Sequence, residues 1–191
     1  AFSRTGAQND PLEGGKIPKK ESAYWTGKIP WVSPKDMSGD EIRDSEDHIS
    51  EQAVNESATN LIPKGSVLVV TRSGILKHTL PVAINSVPVT INQDIKAFIP
   101  NDNCEAVFIA GQLRVSAPTI LNFVRVGATV QNIETEALRR LSILNPPLTQ
   151  QKEFAARVSE IRAMQTEQAT SRRRLDDLFQ SMLHRAFNGK L

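Results

Sequence analysis

Two polar stretches concentrate side chains that can hydrogen-bond in pairs. Arg72-Ser73-Gly74-Ile75-Leu76-Lys77-His78 follows an apolar strand-like run, and Gly127-Ala128-Thr129-Val130-Gln131-Asn132-Ile133 is a second polar loop. A polar loop at a strand end is where binding groups are usually mounted. Arginine, glutamine and asparagine are the side chains that contact guanine and adenine edges through two hydrogen bonds at once. Arg72, Gln131 and Asn132 therefore head a set of candidate nucleic-acid contacts, with Ser73, Lys77, His78 and Thr129 around them. Lys28 and Lys35, beside the aromatic residues Tyr24, Trp25 and Trp31, are candidates for phosphate.

Charge divides the chain the same way. Asp36 to Glu56 holds eight acidic residues and one basic residue, Arg43, so this face should repel phosphate. From Ser57 to Pro100 the charged residues are Lys64, Arg72, Lys77 and Lys96 against Asp94 alone, which makes this segment the better phosphate-facing surface.

Catalytic chemistry finds little support. Asn145-Pro146-Pro147-Leu148 is similar to the string with which adenine methyltransferases hold a flipped-out base. Leucine stands where an aromatic ring should stack on the base, and no Gly-rich loop after a strand offers a cofactor site. Pro-Pro reads as punctuation between strand and helix. His48, His78 and His184 lack partners at metal-ligand spacing, and the single Cys104 excludes both an intrachain disulfide and a cysteine-built zinc site. Asp94-Ile95-Lys96 has no convincing second acid upstream and reads as a strand edge. No metal, no cofactor and no catalytic residue are expected.

The elements that must carry these groups are a compact body and a rod. At 191 residues with 39% hydrophobic content, the chain can bury one core. Residues 1–16 read as a mobile lead-in, and the opening Ala as the mark of a processed or excised chain. Strands are expected at Ile29–Ser33, Ser66–Thr71, Leu80–Ile84, Val87–Ile91, Ile95–Ile99 and Leu141–Leu144. Short helices should follow Ser50, run from Asn103 to Leu113 behind an Asp102/Glu105 capping box, follow Ser116, and start at Thr135. From Thr149, a plausible N-cap, no Pro or Gly occurs before Gly189, so one helix of about 60 Å is predicted. Phe154, Val158, Ile161, Leu175, Phe179 and Met182 lie on alternating three- and four-residue steps, with Leu178 and Leu183 widening the stripe. Gln165, Gln168 and Arg172 interrupt it, and such polar seam positions fix register and partner. The stripe calls for a second helix. An antiparallel homodimer satisfies it, joining the apolar ends crosswise and the polar middle to itself. The helix is basic, eight Lys and Arg against five Asp and Glu over 149–191, while the body is near neutral. No apolar run reaches membrane-spanning length, and the lone cysteine fits a reducing cytoplasm.

Five strings then carry a family resemblance: WTGKIPWVSPKDM (Trp25 to Met37), LIPKGSVLVVTRSGIL (Leu61 to Leu76), VTINQD (Val89 to Asp94), GATVQNI (Gly127 to Ile133) and PPLTQQKEF (Pro146 to Phe154). In this order over residues 17–191, the chain resembles the DNA-specificity subunit of type I restriction-modification systems. The resemblance implies an α/β (α+β) target-recognition domain over residues 17–147 with a twisted, mostly antiparallel sheet, reading one half of a split double-stranded DNA site. It also implies a long C-terminal coiled-coil-forming helix, 148–191, that spaces the half-sites and docks DNA methyltransferase subunits, the restriction subunit joining through the complex. Such a subunit is non-catalytic; the adenine methyltransferase and endonuclease activities belong to the assembly. Family members of full length carry two recognition domains and two helices. This chain has one of each and lacks a visible first strand in Ala1 to Gly15. It is therefore expected to be a half-length subunit that dimerises, or half of a longer protein. The competing class is a coiled-coil scaffold unrelated to DNA.

Overall fold

The computed structural model describes residues 11–18, 20–126, 131–139 and 141–189. They form two compact units, Ala1–Gln151 and Lys152–Leu191.

The first unit is built on β5 (Val67–Val70). All four of its residues are fully buried, as an uninterrupted valine and leucine run requires when both faces of a strand are covered. Around it lies a five-stranded sheet in the order β1 (Leu12–Glu13), β8 (Ile95–Phe98), β5, β6 (Val82–Asn85) and β3 (Glu41–Ile42). A three-stranded sheet has the order β4 (His48–Ile49), β2 (Ile29–Val32), β7 (Thr90–Ile91). A hairpin pairs β9 (Val124–Val126) with β10 (Gln131–Ile133). Pairing is antiparallel except between β3 and β6 and between β2 and β7. Helix α1 (Glu51–Glu56) starts at Ser50, whose hydroxyl accepts from the Ala53 amide at 3.2 Å. Helix α2 (Ala106–Val115) packs on β5 and β6, followed by α3 (Ala117–Leu121) and α4 (Thr135–Arg139). The result is the expected mixed α/β body with a mainly antiparallel sheet.

A smaller cluster gathers Tyr24, Trp25, Ile29 and Trp31 around Ile17, Ile49 and Ala53, with the two indoles edge to face at 5.2 Å. Trp25 also donates from its indole nitrogen to the Pro18 carbonyl at 3.2 Å. The aromatic concentration thus serves packing.

Three expectations are corrected. Leu12–Glu13, assigned to the mobile lead-in, form the edge strand β1, where Glu13 neutralises the otherwise buried ammonium of Lys96. A Cβ on Gly14 would collide with the Asn92 backbone, so that glycine is what lets the segment approach the sheet. Leu141–Leu144 is not a strand. The Gln112 side chain takes both backbone groups of Leu144, donating to its carbonyl and accepting from its amide, each at 2.7 Å. Helix α2 begins at Ala106 rather than Asn103 and has no Asp102 cap, because the Glu105 amide donates instead to Gln151 Oε1, 3.0 Å away.

Helix α5 (Leu148–Phe187) begins one residue before Thr149, with Pro147 accepting from the amides of Gln150 and Gln151. Along the second unit its apolar stripe is open to solvent: Phe154 is 39% exposed, Ile161 50%, Leu175 66%, Leu178 58%, Phe179 59% and Met182 53%. Val158 and Leu183 are partly buried. Gln165, Gln168 and Arg172 are exposed on the same helix.

Candidate nucleic-acid interface

The segment Thr71–Arg72–Ser73 leaves the end of β5 and is held on both sides by backbone hydrogen bonds. On one side the Asp94 carbonyl accepts from the amides of Thr71 (2.8 Å) and Arg72 (3.1 Å) and from the Thr71 hydroxyl (3.3 Å). On the other, the Ile133 amide donates to the Thr71 carbonyl (2.8 Å), the Ser73 amide donates to the Gln131 carbonyl (3.1 Å), and Arg72 bridges to Asn132. Residues 60 positions apart are thereby brought together, so Arg72, Ser73, Gln131 and Asn132 share one edge of the body. Ser73 then caps a short 3-10 turn, Gly74–Lys77, accepting from the Ile75 amide at 3.4 Å. The turn packs on β10, and both Lys77 and the following His78 are exposed.

Within this cluster the side chains divide. Arg72 is 49% exposed and pairs through Nε with Asp94 Oδ1 at 2.8 Å; the carboxylate is only 20% exposed. Asn132 is exposed. Gln131 is not available: it lies inside the fold at 5% exposure, and its Oε1 has no hydrogen-bond donor among the described residues. Its expected role at a base edge is corrected by strand alternation, which turns Gln131 inward and Asn132 outward. Thr129 falls outside the described residues.

The expected phosphate contacts also separate. Lys28 is exposed. Lys35 stands between Glu46 Oε2 (2.8 Å) and Asp47 Oδ2 (2.9 Å), which raise its pKa further, so a phosphate there would have to displace two carboxylates. Lys35 thus sits within the acidic face. Of the cations between Ser57 and Pro100, Lys96 is buried against Glu13 and Arg72 is paired with Asp94, whereas Lys64 and Lys77 are exposed. Burial pushes the Cys104 thiol upward, so it is not a poised thiolate. Among the described residues no group of three or more His, Cys, Asp and Glu is placed to hold a metal ion.

Sequence reasoning missed Gln151, which is 1% exposed. It accepts from the Glu105 amide (3.0 Å), and its Nε2 faces Pro146 O (2.8 Å), Asn145 Oδ1 (3.2 Å) and Asn103 O (3.3 Å). The catalytic-looking Asn145-Pro146 pair is therefore spent on fastening the first turn of α5 within the first unit. Nothing in the sequence distinguishes it from the adjacent Gln150.

Residues 11–176 match the family model described as "Type I restriction modification DNA specificity domain". The chain is 39% identical over 141 residues to the type I restriction enzyme EcoR124I/EcoR124II specificity subunit of Escherichia coli, covering 73% of this chain and 35% of that protein. It is 30% identical over 153 residues to the type I restriction enzyme MjaIX specificity subunit of Methanocaldococcus jannaschii, covering 78% and 34%. The chain thus spans about a third of the length of these relatives. The fold is shared with a chain of a type I R-M system structure (TM-score 0.67, 22% identity, 95% of this chain and 44% of that one). It is shared likewise with the HsdS subunit from Thermoanaerobacter tengcongensis (TM-score 0.60, 22% identity, 95% and 43%). The match over most of the chain, in the same body-plus-helix fold, decides the assignment: this chain belongs to the type I restriction-modification DNA specificity family.

Proposed function

We propose that this chain is a non-catalytic specificity subunit that reads one half of a split double-stranded DNA site and directs methyltransferase and restriction subunits to it in the cytoplasm. Membership of the family supports the reading, and the observation that carries it is the polar edge where Arg72, Ser73 and Asn132 converge beside the exposed Lys77 and His78. Two side chains able to contact base edges, flanked by a lysine that positions without discriminating, are what sequence reading requires. The contrast with the acidic Lys35 face supports DNA approaching from one side only.

The second part of the proposal concerns assembly. The exposed stripe on α5 is covered by a second copy in an antiparallel pair, Phe154, Val158 and Ile161 of one helix meeting Leu175, Leu178, Phe179, Met182 and Leu183 of the other. Two recognition bodies on such a pair read a palindromic, split site. Selection from a randomised duplex library, with and without a methyltransferase subunit, tests the function. Enrichment of a split motif is expected, and enrichment of no sequence under either condition would overturn the reading in favour of a scaffold role.

A further inference from the structure

We infer that Arg72 reads a guanine and that Asp94 is its positioning residue. The inference rests on the DNA-reading function proposed above and deepens it by naming one base and the pair of side chains that selects it.

The carboxylate of Asp94 is built into place before any ligand arrives. Its backbone carbonyl is pinned by three donors from Thr71 and Arg72. Its own amide donates to Asn92 Oδ1 at 3.0 Å, and Asn92 Nδ2 donates back to Asp94 Oδ2 at 3.2 Å. Asn92 is in turn 6% exposed, donates its amide to the Val32 carbonyl (3.0 Å) and is bridged by Gly15. An acid held this firmly beside an arginine sets where the guanidinium sits. Nε lies 2.8 Å from Oδ1, yet Oδ1 has no aligned hydrogen-bond donor, so charge rather than a directed bond holds the pair. The carboxylate thus sets the position of the guanidinium through charge, with Nε the nitrogen beside it.

Two arguments make the target a base and not a phosphate. An arginine whose charge is balanced by an adjacent carboxylate adds little net attraction for the DNA backbone, since phosphate binding depends on uncompensated charge. With Nε the nitrogen next to the acid, the two terminal nitrogens of the fork remain for a pair of acceptors, and guanine presents O6 and N7 as such a pair in the major groove. Adenine places a donor next to its N7 and meets the fork badly. The surrounding surface agrees: Arg72 is half exposed on an edge that also carries the exposed Asn132.

The test uses the full chain with a methyltransferase subunit and a randomised duplex library, comparing the wild type with Asp94→Asn and Arg72→Lys. Asp94→Asn keeps the backbone contacts and removes the charge; Arg72→Lys keeps the charge and removes the fork. The wild type should require a guanine at one position. Both variants should lose about tenfold or more of the discrimination at that position and keep the rest of the motif. Asp94→Asn should also bind unrelated DNA more tightly at low salt, because a negative charge has left the surface. Loss of preference at one position together with a gain in unspecific affinity is a split that a weakened fold does not produce. Where Asp94→Asn melts too low to assay, Arg72→Lys decides alone. A wild type with a motif that neither variant alters, or that both weaken evenly at all positions, overturns the inference and leaves the function standing. A wild type with no motif overturns both.

Discussion

The body and the C-terminal helix handle apolar surface in opposite ways. In the body, Val67, Leu68, Val69 and Val70 are each at 0% exposure, and buried polar groups find partners far away in sequence, as Asn85 does with Ser66 and Pro63. In the helix beyond Gln151, Leu175, Leu178 and Phe179 are 66%, 58% and 59% exposed on a face whose period is regular. The first region completes its own folding problem; the second states half of one. Apolar residues held on a coiled-coil period without burial support the proposed partner helix, whereas the same residue types in the body make a core.

That contrast can be broken at several points. The largest effect is expected from Leu178→Glu. In a two-fold pair the substitution enters the interface twice, and losing about 1.5–3 kcal/mol of burial per leucine raises the dissociation constant at least about a hundredfold. Sedimentation at micromolar concentration should then show a monomer while the body unfolds as before; a wild type that already runs as a monomer removes the dimer. Next is Leu68→Ala, a truncation at 0% exposure in the central strand, which should cost about 3 kcal/mol. Urea unfolding followed by tryptophan fluorescence reads it cleanly, because Trp25 and Trp31 both lie in the body. A loss below about 1 kcal/mol would mean the site collapses around the missing methyls.

Gln151→Ala should cost about 2 kcal/mol in the same assay, since it removes a buried side chain and leaves the part-buried Glu105 amide without its acceptor, while the exposed Gln150→Ala stays within about 0.5 kcal/mol. Equal effects from the two would show that the Gln151 network contributes nothing specific. The smallest effects compare two faces of the body. Lys77→Ala should weaken all DNA sequences alike and reduce the salt slope by about 1. Lys35→Ala should leave that slope unchanged, because Glu46 and Asp47 already neutralise it. A drop in slope for Lys35→Ala would restore it as a phosphate contact.

Much of the local architecture was legible. The apolar run of β5, the Ser50 cap of α1, the Pro118 turn into α3 and the long α5 all follow from patterns that act within a few residues. So does the approximate location of the candidate site, since Arg72 and Asn132 stand out by type in polar stretches. What misled was chemistry that looked local and was not. The Asp102/Glu105 box had correct spacing, but the Glu105 amide was taken by a side chain 46 residues away. Leu141 to Leu144 had a strand's composition, but Gln112 occupied the backbone groups a neighbouring strand would have used.

Which segments are apolar, where helices can start, and the stripe on α5 follow from residue order alone, because these depend on period and on nearest neighbours along the chain. Which polar side chains remain available to a ligand depends instead on how the folded chain surrounds them. Gln131 and Asn132 are adjacent and chemically alike, yet pairing in β10 buries one and exposes the other. Arg72 and Lys35 are both cations with half-exposed side chains, yet Arg72 meets a single carboxylate pinned by Asn92 while Lys35 meets two. Availability is a property of what lies within a few ångströms in space, and the residues that supply it here come from 11 to 60 positions away in the chain.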